Sequence, residues 1–247
     1  MARILLIETS TALCSAAVEI DGEVIESRRD VSRRHASLTA VFCDEVLRGA
    51  GLKVSDLDAV CISDGPGSYT GLRVGLSTAK GLCFGAGIRM LSVSSLDILT
   101  AMALQSSSTL PAKPLASPGP SQPSVAARHL PVRENSVIIP MIDARRMEVF
   151  TAIYNTEGQR ISEIEAKVVE EGAYADVAEN AVFIGDGAMK CKEVIGKGEF
   201  IETMPDAAAM AGLAEREFAA GNFRDIAYFE PFYLKDYTPT VSKKKLF

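Results

Sequence analysis

Two segments of the chain follow the same order of apolar strand, acidic residue and second apolar run. In the first segment, an apolar run ends at Glu8 and the next apolar run contains Val18. In the second, an apolar run ends at Asp143 and the next run contains Ile153, at the same spacing. An internal repeat at this distance predicts two similar lobes, although β-meanders also resemble one another by chance.

Strand-like and helix-like segments alternate along both halves of the chain. Apolar residues recur at helical spacing over 38–49 and 69–85, and Asp21-Gly22 lies between two extended runs, which is typical of a hairpin turn. The mixture predicts an α/β protein. We expect three regions: a first lobe at 1–104 with partner-binding helices, a Ser- and Pro-rich flexible insertion at 105–124, and a second, smaller lobe with a C-terminal tail at 125–247.

Charge and cysteine usage limit the classes of function. The 247 residues carry a formal net charge of -6, and their one dense basic run lies at 243–245, so we expect something else to hold most of any bound RNA. The five cysteines are scattered without a CxxC pair, which indicates reduced thiols. No apolar run is long enough to span a membrane. These features predict a soluble cytoplasmic protein.

Two polar turns form a candidate phosphate-binding site. The first turn follows the first strand. Its hydroxyl and N–H groups either bind phosphate oxygens or only form hydrogen bonds within the turn. From the residues alone, the second interpretation is favoured. The second turn is rich in glycine and precedes a helix, which is a favourable place for an anion. The candidate nucleotide- or phosphate-binding residues are Thr9, Ser10, Thr11, Gly65, Gly67 and Ser68.

The helix predicted over 69–85 carries Gly71, Gly75 and Ala79 on one face. A glycine inside a helix costs about 1 kcal/mol relative to alanine, so this smooth face indicates close packing against another element. That element belongs either to the same lobe or to another chain. We favour a partner interface.

The sequence contains no convincing catalytic set. It has two histidines, no HxxxH or HExxH motif, no cysteine cluster and no G-x-S-x-G elbow, so we predict neither catalytic nor metal-binding residues. The alternative is an actin-like ATPase or small-molecule kinase acting on its own, which would use Thr9, Ser10, Asp143 and Asp186. Both aspartates follow strands, and the simpler interpretation is that they only cap the turns there.

Several motifs together resemble a known family. They are IETST at the start, an RxH helix entry, DGPGSYTGLRVGLSTAKGL, VSSL, IIPMIDARRMEVF, FIGDGA and PFYLKDY. In this combination the chain resembles the bacterial TsaB (YeaZ) family, paralogues of the enzyme TsaD. The resemblance covers nearly the whole chain except the Ser- and Pro-rich insertion.

The resemblance implies an actin-like (ASKHA) fold of two ribonuclease-H-like lobes. It implies a non-catalytic subunit of a TsaD–TsaB–TsaE complex, which transfers threonylcarbamoyl from threonylcarbamoyl-AMP to the adenosine next to the anticodon of tRNAs reading A-starting codons. TsaD carries an HxxxH metal motif where this chain has no histidine at 93–98, which also points to the accessory member. The chain itself would need no cofactor, with ATP or ADP at the complex interface, and would contact tRNA only through the complex.

By analogy with the family, the helices at about 34–49 and 69–85 dock on TsaD. Without TsaD, we expect the same apolar helix surface to form a homodimer. The expected interface residues are His35, Leu38, Phe42, Tyr69, Thr70, Gly71, Leu72, Gly75, Leu76, Ala79 and Leu82.

Overall fold

A computed structural model of the chain describes residues 2–107 and 136–235, which form ten strands and five α-helices. The first part contains β1 Arg3–Glu8, β2 Cys14–Ile20, β3 Glu23–Asp30, α1 His35–Gly49, β4 Ala59–Ser63, α2 Tyr69–Ala86, β5 Arg89–Val93 and α3 Ser95–Ser107. The second part contains β6 Val137–Asp143, β7 Glu148–Thr151, β8 Glu165–Val168, β9 Ala181–Ile184, α4 Ala188–Ile195, β10 Glu199–Ile201 and α5 Ala211–Ala219.

The strands form two five-stranded sheets with the same connectivity. The first sheet has the order β3-β2-β1-β4-β5, and the second has the order β8-β7-β6-β9-β10. In each sheet the first three strands form an antiparallel meander and the last two lie parallel to the first strand. The predicted repeat of Glu8 and Asp143 therefore reflects two lobes of one topology, and the predicted α/β class is confirmed.

Local sequence signals set the ends of the elements. Asp21 and Gly22 both have positive φ, 51° and 77°, as the predicted two-residue hairpin turn requires. Helix α2 begins where the Ser68 hydroxyl accepts a hydrogen bond from the Gly71 N–H at 3.3 Å. It ends at Gly87, whose φ of 68° lets the chain leave the helix.

The first sheet is buried on both faces. Because side chains alternate along a strand, Leu5 and Ile7 of β1 pack on one side with Val46 of α1 and Leu76 of α2. Their neighbour Leu6 points to the other side of the sheet. Each fully buried Leu or Ile stabilises the fold by about 1.5–3 kcal/mol relative to an exposed one.

The second face of the first sheet is covered by residues from the C-terminal half of the chain. Met210 and Ala214 belong to the same buried cluster as Leu6 and Leu91. The predicted boundary, which placed all of 125–247 in the second lobe, therefore needs correction for α5 and the turn before it. Their apolar residues pack on the first sheet because that face would otherwise be exposed.

Helix α3 and the C-terminal segment connect the two lobes. Ile98 of α3 packs with the first sheet, whereas Leu99 packs with Ile138 in the second. Further along, the Arg224 N–H donates to the Met90 carbonyl at 2.8 Å, beside β5. The chain then passes β4 and reaches the second lobe at Leu234.

Part of the predicted insertion and tail lies outside the described residues. Helix α3 includes residues 105–107, and the remainder of the Ser- and Pro-rich segment at 105–124 falls in the undescribed range, as do residues 236–247. Within the described ranges, no helix is both long and apolar enough to cross a membrane.

Candidate functional site

The turn after β1 is buried, although its residues are polar. Glu8, Thr9 and Ser10 have at most 1% of their surface exposed. One carboxylate oxygen of Glu8 accepts a hydrogen bond from the Ser10 N–H at 2.5 Å. Burial raises the pKa of Glu8 to about 7, even though the hydrogen bond from the Ser10 N–H acts to lower it. The Glu8 carboxylate therefore already binds the Ser10 N–H. A bound phosphate would have needed this backbone donor.

The start of α2 packs directly on this turn. A side-chain carbon added at Gly67 would lie 2.4 Å from the Ser10 carbonyl oxygen, and one at Gly71 would lie 2.0 Å from the Thr9 carbonyl oxygen. The Ser68 N–H also donates to the Ser10 carbonyl at 2.6 Å. Only glycine allows this approach of helix backbone to turn.

The smooth face of α2 is therefore used inside the lobe. Gly71, Gly75 and Ala79 are buried, and a carbon added at Gly75 would lie 2.4 Å from the Thr9 hydroxyl oxygen. The interpretation of these three residues as partner contacts needs correction, because the element that approaches them is the turn after β1. Leu72 and Leu76 are buried on the same side of the helix.

The structure brings the predicted phosphate-binding residues together at this junction. Thr11 is 6% exposed, and its hydroxyl accepts a hydrogen bond from the Leu13 N–H at 3.4 Å. Gly65 is buried, whereas Gly67 is half-buried and Ser68 is exposed. The Ser10 hydroxyl has no hydrogen bond of acceptable geometry to any described residue.

The equivalent end of the second sheet carries Asp143 and Asp186. The Asp143 N–H donates to an Asp186 carboxylate oxygen at 2.9 Å, and the Lys190 ammonium contacts the Asp143 carboxylate. Burial raises the pKa of Asp186. Among the described residues, no group of three or more His, Cys, Asp or Glu side chains could hold a metal ion. Lys190 thus compensates the charge of Asp143 from within the same lobe.

The remaining predicted interface residues lie on the two neighbouring helices α1 and α2. His35, Leu38, Phe42, Tyr69 and Leu82 are half-buried, and Thr70 is exposed. The His35 ring nitrogen Nε2 lies 3.3 Å from the Leu13 carbonyl oxygen, a hydrogen bond that fixes the start of α1 to the loop after the first turn.

The sequence reasoning missed the most exposed apolar residues of these helices. Phe84 is 85% exposed and Val41 is 45% exposed. On α2, the exposed residues Ser77, Gly81 and Gly85 recur at intervals of four. The helix therefore has two stripes of small residues, one buried and one exposed. The spacing of Ser77 with the later glycines was the signal that could have identified the outer stripe.

A second missed group surrounds the first turn of α2. The Arg73 guanidinium lies 4.5 Å from the centre of the Tyr69 ring, and that ring lies 4.8 Å from the Tyr233 ring. The C-terminal segment thereby packs against the N-terminal end of α2. A contact between positions so distant in sequence leaves no local pattern.

Comparison with known proteins identifies the family. Residues 22–229 match the family described as TsaD: tRNA N6-adenosine threonylcarbamoyltransferase. The chain is 30% identical to the tRNA threonylcarbamoyladenosine biosynthesis protein TsaB of Haemophilus influenzae, over 98% of this chain and 96% of that protein. It is 28% identical to the TsaB of Escherichia coli, over 99% of this chain and 98% of that protein.

A solved structure supports the same assignment at the level of fold. YeaZ from Pseudomonas aeruginosa has a TM-score of 0.75 at 24% identity, and the match covers 95% of this chain and 100% of that one. The two sheets of equal topology are those of the actin-like (ASKHA) fold. The chain therefore belongs to the TsaD family, and within it to the TsaB (YeaZ) branch.

Proposed function

We propose that this chain is a non-catalytic subunit in the biosynthesis of threonylcarbamoyladenosine in tRNA. In this proposal it binds and supports TsaD, together with TsaE, during transfer of threonylcarbamoyl from threonylcarbamoyl-AMP to the adenosine next to the anticodon of tRNAs reading A-starting codons. Full-length similarity to proteins named for this biosynthesis supports the pathway. The net charge of -6 supports contact with tRNA through the complex.

The observation that carries the partner role is the exposed apolar surface of α1 and α2. Phe84 exposes 85% of its surface, and carbons added at the neighbouring Gly81 and Gly85 would meet no atom within 4 Å. A large exposed aromatic residue between two exposed glycines suits the close approach of a partner helix. We define Val41, Ser77, Gly81, Phe84 and Gly85 as the outer helix surface.

We assign TsaD to this outer helix surface, with homodimer formation through it when TsaD is absent. The half-buried side chains of Phe42 and Leu82 support the surface from beneath, since both pack on the core between these helices and the first sheet. The chain itself needs no cofactor in this proposal, and ATP or ADP binds at the interface with the partner.

The test is reconstitution of tRNA modification from purified TsaD, TsaE and this chain, supplied with threonylcarbamoyl-AMP and tRNA. We expect threonylcarbamoyladenosine to form only when all three are present. Phe84→Asp should abolish co-purification with TsaD and reduce product at least tenfold, because it places a charge in an apolar interface. Equal product from TsaD and TsaE without this chain would refute the proposal.

A control uses an exposed apolar residue elsewhere. Ile161 is 59% exposed in the second lobe, away from α1 and α2. Ile161→Asp should bind TsaD like the unmodified chain. If both variants lose binding equally, the outer helix surface is not the docking site, although the pathway assignment would stand.

The alternative of an independent ATPase or kinase has less support from the geometry. Thr9 and Ser10 are buried under α2, and Asp143 is paired with Lys190. We expect no ATP hydrolysis by the purified chain above the background of an Asp143→Ala variant. Turnover that this variant abolished would favour the alternative instead.

A further inference from the structure

A cleft between the lobes lies beside the C-terminal ends of β4 and β5. Its volume is about 510 Å³, within the range of small-molecule sites. Asp64 and Ser94 line it from the first lobe, and Glu163 and Ile164 line it from the second. In α/β folds, ligands bind outside the carboxyl ends of parallel strands. None of these cleft residues belongs to the outer helix surface.

Two carboxylates form the inner part of the cleft. Asp64 accepts a hydrogen bond from the Ser92 hydroxyl at 2.6 Å, and Asp97 accepts one from the Tyr154 hydroxyl at 2.6 Å. Burial raises the pKa of both Asp64 and Asp97, and the negative charge of Asp97 raises that of Asp64 further. Their hydrogen-bond partners are neutral hydroxyls, and the positive charge of the nearby Arg224 offsets only part of the effect of burial on Asp64. A positively charged ligand group would therefore stabilise both carboxylates.

Two exposed guanidinium groups line the outer part of the cleft together with the exposed Glu163 carboxylate. Arg160 and Arg216 are exposed residues that line it, and both lie near enough to lower the pKa of Asp97. The third arginine, Arg224, is engaged within the protein, since its Nε donates to the Ser92 hydroxyl at 2.9 Å. Arg216, by contrast, is exposed to solvent. It is therefore available to a carboxylate ligand.

We propose that this cleft binds a small zwitterion of the α-amino-acid class. The ligand's ammonium group faces Asp64 and Asp97, and its carboxylate faces Arg216 at the mouth. Ile164 and Leu213 form the apolar wall beside its side chain. Charges of both signs in one cleft distinguish such a ligand from a simple anion or a simple amine, each of which pairs with only one sign. The inference is independent of the proposed role in tRNA modification.

The test is calorimetric titration of the full chain with a panel of free amino acids, each at up to about 10 mM. At least one should bind saturably at neutral pH. Its N-acetyl form, which lacks the ammonium group, and its amide form, which lacks the carboxylate, should each bind about tenfold more weakly or worse. Inorganic phosphate and ethylamine serve as the one-charge probes.

Two variants locate the binding site. Asp97→Asn retains an acceptor for the Tyr154 hydroxyl and Arg216→Gln removes an exposed guanidinium, so both should keep the fold while weakening binding about tenfold. The control Arg48→Gln changes an exposed arginine of α1, outside the cleft, and should leave binding unchanged. The proposal is overturned if no amino acid binds, if the blocked forms or one-charge probes bind as tightly, or if Asp97→Asn and Arg216→Gln bind like the control.

Discussion

The two lobes share one topology but differ in how deeply the residue at the end of their first strand is buried. In the first lobe, Glu8 has no exposed surface, and α2 closes over the following turn through Gly71 and Gly75. In the second lobe, Asp143 is exposed and paired with Lys190. Glycines after β9 pack against the neighbouring strand, and the Asp143 side chain stays open to solvent.

The difference follows from the helices that come after the fourth strand of each sheet. Helix α2 spans 18 residues and lies with its glycine face on the turn, whereas α4 spans 8 residues and supplies Lys190. A turn enclosed by backbone has little access for a ligand. The same fold therefore yields one closed end, which stabilises the lobe, and one open end, where Lys190 pairs with Asp143.

The largest effect is expected where the closed end is forced apart. Gly71→Ala places a carbon 2.0 Å from the Thr9 carbonyl oxygen, so the free energy of unfolding in urea should fall by about 3 kcal/mol or more. Gly81→Ala is the control on the same helix, where no atom lies within 4 Å. It should gain up to about 1 kcal/mol from helix propensity. Equal effects of the two changes would mean that α2 does not close on the turn.

A smaller, pH-dependent effect is expected at Glu8. Its folded-state pKa of about 7 exceeds the ordinary value of 4.5, so its contribution to stability is complete below about pH 4.5 and is lost as pH rises through 7. Glu8→Gln removes this loss of stability because glutamine does not ionise. The stability of the variant relative to the unmodified chain should rise between pH 5 and pH 8, by about 3 kcal/mol at most.

Denaturant titrations at several pH values would measure this trend. Glu19, whose pKa burial raises to about 8, contributes in the same direction and remains in the variant, so some pH dependence should persist. A difference between Glu8→Gln and the unmodified chain that stays constant, or shrinks as pH rises, would contradict a buried carboxyl at this end.

The smallest effect is expected at the open end. Asp143→Asn removes a partly exposed ion pair with Lys190, and such pairs contribute about 0–1 kcal/mol. Urea unfolding at neutral pH should therefore differ little from that of the unmodified chain. A loss as large as that of Gly71→Ala would show that the two ends are equally closed, and the contrast between the lobes would fail.

The sequence predicted much of the local structure correctly. Helices over 38–49 and 69–85 lie within α1 and α2, and the Asp21-Gly22 turn has the φ values that its residues favour. The repeat at Glu8 and Asp143 corresponds to matching sheets. These features depend on neighbouring residues, and therefore short-range patterns reveal them.

The sequence by itself thus determined several of the elements, the two-lobed α/β class and the family. Tertiary structure decided which element meets the glycines of α2, because a residue without a side chain indicates close packing but not the partner. It also decided that α5 returns to the first sheet, since an amphipathic helix does not specify which apolar face it covers. Both outcomes depend on contacts between residues distant in sequence, as does the enclosure of Glu8 beneath the helix that follows β4.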